Sequence, residues 1–128
     1  MTLPLSALSR ALAVSILSML VVAGAQAGEA DVVAVKVTKN GERIYRFDVT
    51  VRHGDKGWEH YANKWDVVAP DGKVLGTREL LHPHDHEQPF TRSLSGVRVP
   101  AGIGAVTIRA HDLVHKYGGK ERQVDLPQ

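Results

Sequence analysis

The stretch Arg43-Ile-Tyr-Arg-Phe-Asp-Val-Thr-Val-Arg52 alternates with a period of two: Tyr45, Phe47, Val49 and Val51 fall on one face, Arg46, Asp48, Thr50 and Arg52 on the other. Successive side chains point to opposite sides only along an extended backbone, so this segment predicts a β-strand with one face in a core and one toward water. The same kind of segment recurs in both directions along the chain. Upstream, the valine-rich Asp31–Thr38 runs into Asn40-Gly41, a hairpin signal because both residues tolerate positive φ. Downstream come Trp65–Ala69, the turn Pro70-Asp71-Gly72-Lys73, and Val74–Leu81 returning from it. Ser93–Val99 follows, closed by Pro100-Ala-Gly-Ile-Gly104. Val106, Ile108 and Ala110 then alternate with Thr107 and Arg109, and Glu121–Leu126 completes the set after Gly118-Gly119.

No stretch of ten or more residues beyond the N-terminal leader repeats with the helical period. Seven short strands at close spacing therefore predict an all-β, antiparallel sandwich. The order resembles that of immunoglobulin-like and fibronectin type III-like domains. Trp65 stands where such domains bury a tryptophan on the third strand, and Pro100-Ala-Gly stands at a corner before the sixth. The resemblance implies a seven-stranded sandwich over the whole of residues 28–128. The disulfide that joins the sheets of antibody domains has no counterpart, because the chain contains no cysteine.

Residues 1–27 read as a signal peptide. One positive charge, Arg10, precedes an apolar run from Ala11, and Ala25-Gln26-Ala27 matches the small-residue cleavage pattern. The apolar run is short for a membrane-spanning helix of about 20 residues. The expected outcome is a periplasmic or secreted domain of residues 28–128, with no stable membrane insertion after leader cleavage and, lacking cysteine, no lipoprotein anchor. Both methionines, Met1 and Met19, lie in the leader, so the mature domain offers no sulfur ligand of either kind.

The formal net charge is +2 at pH 7, and removal of Arg10 brings it to +1. Charges of both signs are interleaved, which leaves no basic stripe for nucleic acid and no cationic amphipathic helix for a membrane surface. What remains as a chemical signal is histidine. The seven histidines are His53, His60, His82, His84, His86, His111 and His115. Imidazole is the commonest side-chain ligand for transition metals and the group that titrates nearest neutral pH.

Following the chain as it reverses at each turn places all seven at one pole of the sandwich. His53 and His60 belong to the connection after the second strand, His82, His84 and His86 to the one after the fourth, and His111 and His115 to the one after the sixth. Before proline the backbone is pushed toward extended geometry, so His82, His84 and His86 are expected on one face with Asp85 on the other. His53 shares the parity of Tyr45 through Val51 and should point inward at the rim. The expected ligands are, in order, His82, His84, His86 and His111, then His115 and His53, with His60 last. Asp85, Glu87 or Asp112 would serve as an extra ligand or as a group that orients an imidazole.

Two functions from different classes suit this pattern. The first is a metal-binding protein, not an enzyme, that holds Cu(II) or Zn(II) through convergent imidazoles. Cu(II) is placed ahead because it leads the affinity order for nitrogen and oxygen ligands. The second is an immunoglobulin-like module that binds another periplasmic protein or a glycan through the same loops, with histidines sensing pH. Trp58 and Tyr61 could then wall a pocket, although loop aromatics also serve to plug the open end of a sandwich. Ser93 has no nucleophile motif around it, which argues against a hydrolase.

Overall fold

A computed structural model describes residues 28–128. The leader expected over residues 1–27 lies outside the described residues. Seven strands form, β1 (Asp31–Gly41), β2 (Ile44–Arg52), β3 (Ala62–Val68), β4 (Val74–Glu79), β5 (Phe90–Arg98), β6 (Ala105–Asp112) and β7 (Arg122–Asp125), and no helix occurs among the described residues. They make two antiparallel sheets, one ordered β1-β2-β5 and the other β4-β3-β6-β7.

The alternation in the sequence is the reason the two sheets have something to bury. Tyr45, Phe47, Val49 and Val51 of β2 are all buried, as are Trp65 and Val67 of β3 and Val106, Ile108 and Ala110 of β6. Phe90 at the start of β5 joins the same cluster. Full burial of side chains of this size contributes about 1.5–3 kcal/mol each, which lets a cysteine-free domain of this length hold a core.

The first hairpin departs from the expected turn. Asn40 and Gly41 remain in β1, Gly41 pairs with Ile44, and the chain reverses at Glu42-Arg43. Arg43 takes a φ of 57°, unusual for a non-glycine residue. Its guanidinium donates to the carbonyls of Val99 (3.1 Å), Pro100 (2.6 Å) and Ile103 (2.6 Å), and these bonds hold the left-handed backbone in place. A shift of register between Lys39 and Gly41 absorbs the displacement. Local turn propensity has yielded here to a side chain anchored on the β5–β6 connection.

Strand direction brings the β2–β3, β4–β5 and β6–β7 connections to one end, and hydrogen bonds tie them together. The Asp55 carboxylate accepts from the His84 amide (2.6 Å), that of Asp85 accepts from the Gly57 amide (3.1 Å), and the Leu113 amide donates to the Tyr61 carbonyl (3.3 Å). The first described residues reach the same end. The Val32 amide donates to the Lys120 carbonyl (2.8 Å), the Lys120 amide to Asp31 (2.7 Å) and Arg122 to the Val33 carbonyl (2.8 Å). Gly118 and Gly119 permit this approach, since a Cβ on either would run into Glu29 or into the Ala30 carbonyl. Gly28 is thereby carried into the pole and buried there.

Candidate metal centre

Three side chains converge beneath Gly28. His53 follows β2, keeps its inward parity, and has a fully buried side chain. His60 comes from the β2–β3 connection and meets the His53 ring edge-on at 4.8 Å between centroids. Asp112, the last residue of β6, has the parity of Ile108 and Ala110 and is likewise completely buried. One nitrogen of each histidine and one oxygen of Asp112 lie within 4.8 Å of one another. Ligands about 2.0–2.2 Å from one ion lie at most roughly 4 Å apart, so a modest inward movement would satisfy one ion.

Two polar facts define the chemistry of this cluster. The Nε2 atoms of His53 and His60 both point at the Gly28 carbonyl oxygen, at 2.8 and 3.1 Å. Asp112 Oδ1 accepts from the amides of Val114 (2.8 Å) and His115 (2.6 Å), but Asp112 Oδ2 is buried without any hydrogen-bond partner. That oxygen lies 3.8 Å from His53 Nε2. A buried carboxylate oxygen with no donor carries an uncompensated desolvation cost. A cation between it and the imidazoles would remove that cost.

Asp55 sets the orientation of His53. Its Oδ1 is hydrogen-bonded to His53 Nδ1 and accepts from the Ala62 amide (3.1 Å), while Oδ2 takes the His84 amide. Burial opposes the charge on His53, but the bond to Asp55, the Gly28 carbonyl and the nearby carboxylates outweigh it and hold the imidazole pKa above its usual value. Burial likewise opposes the charge on Asp55, and the donors from His53, His84 and Ala62 overcome it and keep its pKa low. A carboxylate on Nδ1 orients the ring so that Nε2 faces the cluster, where it donates to the Gly28 carbonyl; a metal bound there would take the place of that proton.

The remaining five histidines lie outside this group of three. His115 is exposed, and its ring stands 5.3 Å from that of His60, against the α-carbon of Gly28. His82 and His84 meet, their ring centroids 4.6 Å apart, and with His86 they line one hollow in the β4–β5 connection. The Glu87 amide bonds back to the His84 carbonyl (3.4 Å), turning the chain at Asp85-His86, so His84 is buried while His82 and His86 are exposed. The Asp55 and Asp85 carboxylates take the His84 and Gly57 amides and so tie this connection to the one after β2.

His84 itself is already engaged. Its ring stacks on Phe90 at 3.9 Å, and its Nε2 accepts from Arg92 at 2.9 Å. Burial, the Arg92 guanidinium and His82 together lower its pKa, so it is neutral with the lone pair committed to arginine. His111 lies on the outer face of its sheet with Thr107 and Arg109. There Nδ1 is bonded to Asn63 Oδ1 (2.6 Å) and the ring meets Tyr117. Burial and the charges of Lys64 and Lys116 lower its pKa. His53 and His60, ranked sixth and last by the sequence, are the two histidines brought together with a carboxylate, their ligand atoms within 4.8 Å of one another.

Asp55 is the group that was not anticipated. It shares the inward parity of His53, two residues along, and that parity was its signal. The same count carried from Val106 to Asp112 places Asp112 inside and His111 outside. Ser93 lies on the outer face of the other sheet, bonded to Asp48 and Arg46 and remote in role from any histidine.

No family model matches the chain, and no solved structure does. A protein of Halomicrobium mukohataei named "Putative lipoprotein" is 45% identical over 97 residues, which is 76% of this chain and 47% of the relative. The chain thus spans about half the length of the curated relative it matches.

Proposed function

We propose that residues 28–128 form an exported sandwich of the immunoglobulin or fibronectin type III kind that binds one divalent transition metal, Cu(II) or Zn(II), through His53, His60 and Asp112. The strand order, three strands facing four with Trp65 in the core of the third, supports the fold. Export is supported by the leader pattern of residues 1–27 and by the name of the relative, which states lipoprotein character for that protein. No helix among the described residues is long and apolar enough to cross a membrane.

The observation that carries the metal reading is the Asp112 carboxylate, whose buried Oδ2 has no donor and lies 3.8 Å from His53 Nε2, while its Oδ1 lies 3.6 Å from His60 Nε2. Two imidazoles and one carboxylate suit either ion. Isothermal titration of the tag-free protein tests this. A sub-micromolar site for Cu(II) or Zn(II) is expected, weakened about 100-fold or more in His60→Ala and in Asp112→Asn and unchanged in His86→Ala. Asn keeps the acceptor that Val114 and His115 need, and His60 is partly exposed, so both variants should fold. Absence of such a site, or loss of it in His86→Ala alone, overturns the reading.

A second reading has its own observation. Trp58, Leu81 and Val114, one from each of the three connections at this pole, are 65%, 72% and 53% exposed. Exposed apolar side chains on convergent loops suit a protein or glycan partner. Binding that persists in EDTA and varies with pH would favour this module over the metal protein.

A further inference from the structure

Gly28 is the residue that both metal-facing imidazoles touch, and it is also the residue that follows Ala25-Gln26-Ala27. We infer that removal of the leader between Ala27 and Gly28 completes the metal site, the new α-amine of Gly28 joining His53, His60 and Asp112 as a ligand. This rests on the metal reading above and assigns that site three nitrogens together with the oxygens of Asp112 and the Gly28 carbonyl, a set for which Cu(II) stands ahead of Zn(II) in the affinity order.

Four observations carry it. The Gly28 carbonyl oxygen is held at 2.8 and 3.1 Å by His53 and His60. The amine of the same residue, linked to that carbonyl through one α-carbon, can close a five-membered chelate ring with the oxygen on a single ion. Gly28 is buried, with a φ of +145°, and a Cβ there would collide with the His115 imidazole, so the pole is built around glycine at this position. The residues that follow are fixed by the Val32–Lys120 and Asp31–Lys120 hydrogen bonds and by contact with Gly118 and Gly119. A terminus tied down in this way stays in place, whereas most chain ends do not. Finally, Asp112 Oδ2 leaves an anionic acceptor in the cluster that its neighbours do not satisfy.

The chemistry balances with groups already named. A leader peptidase adds water across the Ala27–Gly28 amide, giving the Ala27 carboxylate and the Gly28 amine. That amine, with an ordinary pKa of about 7.7–8.0, gives up its ammonium proton to solvent as its nitrogen takes the metal. Before cleavage the same nitrogen is an amide without a basic lone pair. Unprocessed chain would therefore lack one donor, and metal loading would follow export.

The test compares two full chains, each expressed with its own leader and purified after export. One is native, and the other has a single serine inserted between Ala27 and Gly28, so that processing leaves the amine one residue upstream. Intact mass should show the native chain beginning at Gly28. Cu(II) titration should show binding weakened about 10–100-fold or more in the insertion chain, at least the loss seen when a supporting group around a metal is removed. Electron paramagnetic resonance should show three nitrogens coupled to Cu(II) in the native chain and two in the other. Equal affinities with two nitrogens in both would overturn the inference while leaving the His53–His60–Asp112 site standing. No binding in either would overturn both, and a native chain starting elsewhere than Gly28 would overturn the inference alone.

Discussion

At the scale of the residue, Asp55 does the most for the pole. Its buried carboxylate satisfies the ring of His53 and the amides of Ala62, where β3 begins, and of His84 in the β4–β5 connection. Asp55→Ala would leave a buried imidazole and two amides without their acceptor. Removing one partner of a buried ion pair costs about 3–5 kcal/mol, so urea unfolding of Asp55→Ala should show a loss of that order. A loss under about 1 kcal/mol would mean that water replaces the carboxylate and that the pole is less closed than these contacts imply. The histidines illustrate how far residue-level reading reaches. That they share one end was legible from strand count. Which of them face inward was legible only through parity, carried past the ends of the strands to His53, Asp55 and Asp112. Spacing within His82-Pro83-His84-Asp85-His86 brings His82 and His84 side by side, but it gave no sign that the buried Asp55 carboxylate takes the His84 amide or that the His84 ring is committed to Phe90 and Arg92.

At the scale of the element, the seven strands were legible because one face of each sheet must be buried, and a period of two records which face that is. Boundaries were less so: β3 begins at Ala62, before Trp65, and β5 at Phe90, before Ser93. The outer face of β3 and β6 carries a polar cluster that alternation alone would assign to solvent. Asp66 is nearly inaccessible there because Tyr117, folding back from the β6–β7 connection, donates to it (2.6 Å), as do Thr77 (2.7 Å) and Arg109 (3.2 Å). Burial would raise the Asp66 pKa, but the bonds from Tyr117, Thr77 and Arg109 outweigh it and hold the value below the ordinary 3.8. A carboxyl depressed by folding contributes stability that is present above its unfolded pKa and lost as pH falls through its folded one. Asp66→Asn should therefore be less stable than the native chain at pH 6, and the difference should shrink below about pH 4. A difference that stays constant to pH 2.5 in chemical denaturation would show that Asp66 gains nothing from its charge.

At the scale of the whole molecule, the two sheets are joined by core packing, since no disulfide is available, and the end where three connections meet contains two buried carboxylates, Asp55 and Asp112, and two buried imidazoles, His53 and His84. Groups of this kind are costly in an apolar setting unless each is paired. Asp55 is paired and one oxygen of Asp112 is not, so a bound cation should act on global stability and not only on local order. An ion that binds the folded chain alone adds about 2.7 kcal/mol when its free concentration is 100 times the dissociation constant. For a domain of about a hundred residues each kcal/mol moves the melting temperature by roughly 4–8 °C. Saturating Cu(II) or Zn(II) should then raise the Tm by roughly 10–20 °C, EDTA should reverse the rise, and Asp112→Asn should abolish most of it. The Asp112→Asn arm separates the buried cluster from the exposed histidines of the β4–β5 connection. Metal held only by His82 and His86 would stabilise both chains equally, whereas metal held at Asp112 links the last residue of β6 to the connection that follows β2. A rise confined to the native chain is the expected result, because only the buried site joins elements from both sheets.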